Sequence, residues 1–164
     1  MECVYLCLGG NQGDVKNTFR EAVKEINNLI GSVIIESKIY QTASWGDVSQ
    51  PDYMNQVLRV SSSLPSYLIL ERCLSIENRF GRIRNKDNQW EGRTVDIDIL
   101  LIGNQIIKTP NLSVPHPRML QRNFVMIPLA EIAENVIHPI ENKTIGDLVT
   151  FTNDNLSVKC ITTT

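Results

Sequence analysis

Apolar and polar positions divide the chain into short β-type runs and longer stretches of helical period. Residues 2–8 form a compact apolar run and predict a first strand, closed by the turn Gly9-Gly10-Asn11. From about Asp14 to Ile30 the apolar residues Phe19, Ala22, Val23, Ile26 and Ile30 recur with helical spacing, and Gly31 ends the pattern. Residues 33–41 and 53–61 predict two strands, joined by "TASWGDVSQPD", which is long for a hairpin and marks a candidate functional loop. A second helix is expected from near Pro65, with Ile69, Cys73, Ile76 and Phe80 on one face and Gly81 at its end. The polar loop "RIRNKDNQWEG" leads into "GRTVDIDILLIG" at 92–103, a β-branched run bounded by glycines. Beyond Gly103 the pattern becomes irregular. Helices are then expected near 126–135 and 144–150, followed by a tail edge strand in "LSVKCITTT" with loose final threonines.

The order β-α-β-β-α-β through residue 103 predicts an α+β, ferredoxin-like core, with both helices on one face of an antiparallel sheet. The C-terminal helices would cover the other face and make three layers, α-β-α. No repeat or linker interrupts the 164 residues, so a single domain spanning 1–164 is expected. No apolar run approaches the roughly 20 residues of a bilayer-spanning helix, and "MECVYLCLGGNQG" has no basic leader of the secretory kind. Four cysteines without metal-type spacing, three of them in apolar segments, predict buried free thiols in a reducing cytoplasm. A net charge of −2 argues against a nucleic-acid or membrane binder. Charge distribution adds more, because six of the nine arginines fall between Arg79 and Arg122, a local excess suited to a small polyanion such as a nucleotide triphosphate.

Asp96 and Asp98 stand out within an otherwise apolar strand. Alternation puts both carboxylates on one face, opposite Val95, Ile97 and Ile99. At about 6 Å they repel by roughly 3 kcal/mol at an effective dielectric near 20. A divalent cation converts that repulsion into coordination, and Mg²⁺ suits the pair because water and phosphate oxygens complete its octahedron. An exposed pair satisfied by Arg93 and a neighbour is the plainer reading. No GxxxxGK[ST] or GxGxxG phosphate loop is present, so arginines and metal would have to hold phosphate. Arg82 and Arg84 alternate around Ile83, and Arg93 lies three residues before Asp96. His116 is held between Pro115 and Pro117 near Arg118 and Arg122. Trp45, Tyr53, Trp90 and Phe124 are aromatics in or beside loops, where a flat heterocycle could stack.

"QPDYMN" (50–55), "GRIR" (81–84), "W-EGRTVDIDIL" (90–100), "VPHPRM" (114–119) and "R-NF" (122–124), in this order and spacing, resemble the 6-hydroxymethyl-7,8-dihydropterin pyrophosphokinases of folate biosynthesis. The resemblance runs from "LGGN" to about residue 133. It implies transfer of pyrophosphate from MgATP to the hydroxymethyl group of 6-hydroxymethyl-7,8-dihydropterin, with release of AMP. Asp96 and Asp98 would bind two Mg²⁺ ions, one bridging the α- and β-phosphates and one the β and γ. Asp96 also remains a possible proton acceptor. Arg82 and Arg93 match positions that steady the transferred group, and Arg84, His116 and Arg122 match triphosphate contacts. Glu77, Ile99 (through its backbone) and Ser113 match the nucleoside pocket. The pterin would lie between Tyr53 and Phe124, its polar edge read by Asn55 and the backbone of Thr42, Ala43 and Trp45, with Trp90 on a loop that closes over both substrates.

The chain departs from the family pattern at Gly10, where many relatives have serine, and at Gln89 and Asn111, where some carry arginine. The last two should weaken nucleotide binding. The partners implied are the two small substrates, for an enzyme acting as a monomer. A non-catalytic nucleotide-binding domain of the same fold is the alternative, and it would bind ATP without producing AMP. An RNA-binding module is opposed by the acidic balance and by the lack of exposed aromatics on the central strands.

Overall fold

Strand β1 (Glu2–Gly10) is apolar on both faces, which only a central strand tolerates. Val4, Leu6 and Leu8 enter one core, and Tyr5 and Cys7 enter another. The structure is a computed structural model that describes residues 1–43, 49–81 and 94–161. The remaining strands are β2 (Ser32–Glu36), β3 (Ile39–Thr42), β4 (Tyr53–Ser62), β5 (Asp96–Ile102), β6 (Ile107–Lys108), β7 (Ser113–Val114) and β8 (Val158–Ile161). The main sheet runs β5-β1-β4-β3-β8 with antiparallel pairing, and β2 shares with β3 the edge of β4 that faces away from β1. This is the expected ferredoxin-like core. The expected tail strand is present as β8, paired with β3; the terminal threonines 162–164 lie outside the described residues.

Helices α1 (Val15–Leu29) and α2 (Ser66–Arg79) pack on the Val4–Leu6–Leu8 face. The carboxylate of Asp14 caps α1 by accepting the Asn17 N–H at 3.2 Å. Gly31 lets α1 end directly against β4, because a Cβ there would stand 2.2 Å from the Ser61 carbonyl oxygen. Helices α3 (Asn123–Ala133) and α4 (Ile145–Val149) cover the opposite face, with Val125, Met126, Leu129, Ile145 and Leu148 packed against Tyr5, Cys7 and Val57. The three-layer arrangement is therefore observed.

Four expectations of the secondary structure are corrected. The turn expected at Gly9-Gly10-Asn11 starts later, because β1 runs on through Gly10, with Gly9 paired to Asn55 and Gly10 to Met54. The strand expected over 33–41 is two strands, broken at Ser37 and Lys38. Ser37 replaces the regular ladder: its N–H donates to the Val57 carbonyl at 2.8 Å and its Oγ accepts the Val57 N–H at 2.9 Å. The irregular region after Gly103 contains the hairpin β6–β7, held by Thr109, whose N–H and hydroxyl both donate to the Leu112 carbonyl. The third helix begins at Asn123, three residues before the expected 126. Nothing local marks that start. Its cap is Asp154, whose carboxylate accepts the Asn123 N–H at 3.0 Å from thirty-one positions away.

The four thiols are free as expected, but only Cys7 and Cys73 are buried; Cys3 is half-buried and Cys160, on the edge strand β8, is exposed. Among the described residues no helix is long and apolar enough to cross a membrane.

The turn between α3 and α4 is built around His138, only 3% exposed. Its Nδ1 accepts the N–H groups of Ile140 and Glu141, and its backbone bonds to Lys143 and Asn142. Protonation would put a proton where two donors already point. Burial, opposed by Glu141, holds the imidazole below its ordinary value of 6.5. A depressed histidine contributes stability that is present above 6.5 and lost as pH falls through that value toward the folded-state one. The urea midpoint should therefore fall between pH 7.5 and 5 more steeply in the wild type than in His138→Asn, which can still accept but does not titrate. Parallel pH profiles would show that the turn is indifferent to the charge.

Candidate active site

Register assembles the site at one end of the sheet. Asp96 lies opposite Gly9, Gly9 opposite Asn55, and Asn55 opposite Tyr40, so one row crosses four strands on the α3 face. The next row holds Asp98, Cys7 and Val57. With strands about 4.8 Å apart, Asp96 and Asn55 stand on either side of a position that has no side chain. A Cβ on Gly9 would reach within 2.9 Å of Asn55 Oδ1. Glycine therefore leaves a floor between a carboxylate and a carboxamide. Thr42 pairs with Tyr53 at the same end, and Phe124, half-buried in the α3-side core, enters from the start of α3.

Both aspartates are half-buried on one strand face, as alternation requires. The alternation then breaks. Leu6 pairs with Ile99 and Tyr5 with Leu101, so Leu100 is an extra residue in the β1–β5 ladder. The bulge places Leu100 and Leu101 together in the α3-side core, and the Leu100 carbonyl accepts the His116 N–H at 2.9 Å. A break in the strand thereby positions the histidine. The adjacent Val114–Pro115 peptide is cis. His116 Nδ1 accepts the Arg118 N–H at 3.1 Å, leaving the ring proton on Nε2. Burial pushes the imidazole below its ordinary pKa, Asp98 opposes the shift, and Arg122 and Arg118 reinforce it. The ring is a neutral donor. The guanidinium of Arg122 sits 5.5 Å from the Phe124 ring centroid.

Along the outer edge of β5 lies a cavity of about 350 Å³ lined by Glu77, Ile97, Asp98, Ile99, Ser113 and His116, with Leu70 and Leu74 of α2 and the β6–β7 hairpin as walls. Glu77 is 3% exposed at the end of α2, and its Oε1 accepts the Ile97 N–H at 2.8 Å. Helix α2 and the edge strand are joined there by a carboxylate. Cys7 stands beside Asp98 on the neighbouring strand, and burial above all, with Asp98 and Asp96 adding to it, pushes its thiol far up. It is a floor residue and no nucleophile.

Residues 5–134 match the sequence model of 7,8-dihydro-6-hydroxymethylpterin-pyrophosphokinase. The chain belongs to the 7,8-dihydro-6-hydroxymethylpterin-pyrophosphokinase family. It is 35% identical over 160 residues to the 2-amino-4-hydroxy-6-hydroxymethyldihydropteridine pyrophosphokinase of Haemophilus influenzae, covering 97% of this chain and 98% of that protein. It is 40% identical over 146 residues to the protein of the same name from Synechocystis, covering 87% and 72%. The fold is shared with the solved Plasmodium falciparum HPPK-DHPS, at a TM-score of 0.71 and 15% identity, over 92% of this chain and 44% of that one.

Of the residues expected for a pyrophosphokinase, the cavity brings together Glu77, Asp98, Ile99, Ser113 and His116. The α3 face carries Asp96, Asn55, Tyr53, Thr42 and Phe124, with Ala43 exposed just past β3. Arg82, Arg84, Gln89, Trp90, Arg93 and Trp45, together with the expected closing loop, lie outside the described residues. Thr94, the first described residue after residues 82–93, lies just before β5 at the Asp96 end of the sheet. Asn111 is on the exposed hairpin loop at the cavity wall. Sequence reasoning missed Leu70, Leu74 and the Leu100 bulge, which carry no polar signal, and Asp154, whose distance along the chain conceals its link to Asn123.

Gly9→Ala should keep the fold, because the group it meets is the tip of a side chain that can rotate. It should nevertheless displace the Asn55 amide and lower kcat/KM for the pterin on the order of a hundredfold, the usual consequence of a misplacement near 1 Å. Thermal melting and AMP release check this. Wild-type kcat/KM would show that the floor has room to spare.

Proposed function

We propose that the two carboxylates of β5 form the junction of two substrate positions: Asp98 lines the nucleoside-sized cavity, whereas Asp96 shares its row with Gly9 and Asn55. That juxtaposition carries the reading. The enzyme transfers pyrophosphate from ATP to the hydroxymethyl group of 6-hydroxymethyl-7,8-dihydropterin and releases AMP, a step of folate biosynthesis. A non-catalytic nucleotide-binding domain is not favoured, since relatives matched over nearly the whole chain are named as the enzyme.

Among the described residues no cluster of three or more His, Cys, Asp and Glu forms. Two carboxylates nonetheless fit Mg²⁺, which takes one or two from protein and the remainder from water and phosphate. Asp96 and Asp98 would hold the two ions. When bound, Mg²⁺ neutralises phosphate charge and makes a coordinated hydroxyl more acidic. Glu77, Ser113 and the Ile99 backbone hold the nucleoside at the β5 edge. His116 donates through Nε2–H to the triphosphate, beside Arg122 and Arg84, while Arg82 and Arg93 steady the transferred group. The pterin stacks between Tyr53 and Phe124, its edge read by Asn55 and the backbone of Thr42, Ala43 and Trp45, with Trp90 covering it. The hydroxymethyl oxygen attacks the β-phosphorus, the bond to the α-side oxygen breaks, and AMP departs. Asp96, on the pterin side of the pair, would accept the hydroxyl proton. The same reading makes the protein a cytoplasmic monomer of one domain, and its four free thiols suit that compartment.

Asp98→Ala should lower turnover at least about a hundredfold in saturating Mg²⁺, while removal of carboxylate repulsion leaves apo stability equal or higher. AMP release and urea unfolding test the two halves, and near-normal turnover would remove the metal assignment. Phe124→Ala should weaken pterin binding by about 1–3 kcal/mol through loss of a stacking face, with a smaller effect on an ATP analogue. Calorimetry with equal losses for both ligands would make Phe124 a general core residue.

A further inference from the structure

Asn11 follows β1 directly and is 3% exposed, an unusual burial for a carboxamide in a turn. Its Nδ2 donates to two acceptors nearly forty positions away, the Gln50 side-chain oxygen at 3.2 Å and the Pro51 carbonyl at 3.3 Å. Both amide hydrogens are thus spent on one segment. Its Oδ1 is buried with no hydrogen-bond partner among the described residues. An unmatched acceptor costs stability, so the two donor bonds hold the side chain in place against that cost. Proline has no N–H, so the backbone there can be held only by a donor from elsewhere.

The segment held in this way is the approach to β4. Regular pairing of β1 with β4 ends at Gly10 and Met54, and the Asn11 side chain carries the connection past that end. Gln41 of β3 grips the next residue from the other side, donating to Asp52 at 2.7 Å. Tyr53 and Asn55 follow immediately. A cavity of about 460 Å³ lies between the Asn11–Gly13 turn and the Ser49–Pro51 segment.

We propose that Asn11 is a positioning residue for the pterin pocket: by clamping Gln50 and Pro51 it sets where β4 begins, and with it the placement of Tyr53 and Asn55. The inference rests on the reading of Tyr53 and Asn55 as pterin contacts. A general stabilising role would weaken both substrates together, whereas a positioning role acts on one.

The test is calorimetry of the whole protein with 6-hydroxymethyl-7,8-dihydropterin in the presence of a non-hydrolysable MgATP analogue, and with the analogue alone. Asn11→Ala and Asn11→Asp, which keeps the shape and loses both donors, should each raise the pterin Kd about tenfold and leave the analogue within about twofold. Asn11→Ala combined with Gln50→Ala should be less than additive, since both remove one contact. If Asn11→Ala does not fold, the aspartate variant and Gln50→Ala alone carry the comparison. Wild-type pterin affinity, equal losses for the two ligands, or full additivity would each overturn the role. Phe124→Ala in parallel separates the two ideas. Pterin loss there without loss at Asn11 removes the clamp and keeps the pocket, whereas no loss in either removes the pocket itself.

Discussion

Antiparallel pairing of β1 with β4 on one side and β5 on the other is the constraint on which the site depends. The ladder brings Asp96, Gly9 and Asn55 into one row although they are dozens of residues apart in sequence. A shift of one residue in either pairing would turn the aspartates or the asparagine toward α1 and α2. The apolar residues forbid that shift: Val4, Leu6 and Leu8 match Leu58, Val60, Ile97 and Ile99 in one core. Burial of aliphatic surface on the helix-covered face thereby sets the geometry of polar groups on the other.

Two of the sheet's departures from regularity serve the site. The extra residue Leu100 makes a carbonyl available for His116 and brings a second leucine into the α3-side core. Ser37 breaks the outer strand in two, and Glu131 of α3 bridges the break by accepting the Lys38 N–H and the Tyr40 hydroxyl, the latter at 2.7 Å. Helix α3 is thus tied to the sheet edge near its C-terminal end and capped by Asp154 at its start. A rigid mount for Arg122 and Phe124 follows from contacts at both ends of an eleven-residue helix.

Electrostatics divides the site into parts with distinct character. Asp98 faces a neutral imidazole whose tautomer is set by a backbone donor, and stands beside a thiol that burial keeps protonated. Asp98 shares its cavity with a second carboxylate, Glu77, while the guanidinium of Arg122 lies against Phe124.

Periodicity alone determined the helices α1 and α2, the strand order of the core and the shared face of Asp96 and Asp98, because those features depend on side-chain spacing within one element. The motifs around "RTVDIDIL" and "VPHPR" carried the family, through a resemblance of residue type and spacing along the chain. The early start of α3 and the break at Ser37 were decided only by tertiary structure, whereas the hairpin β6–β7 closes on a local contact that the apolar pattern does not show. Their causes are Thr109 gripping Leu112, Asp154 reaching Asn123, and Ser37 standing in for a ladder bond to Val57. The latter two are contacts between residues far apart in the chain, which no local pattern encodes. The floor at Gly9 belongs to the same class: a glycine in a strand signals only a missing side chain, and its use appears once Asn55 and Asp96 stand on either side.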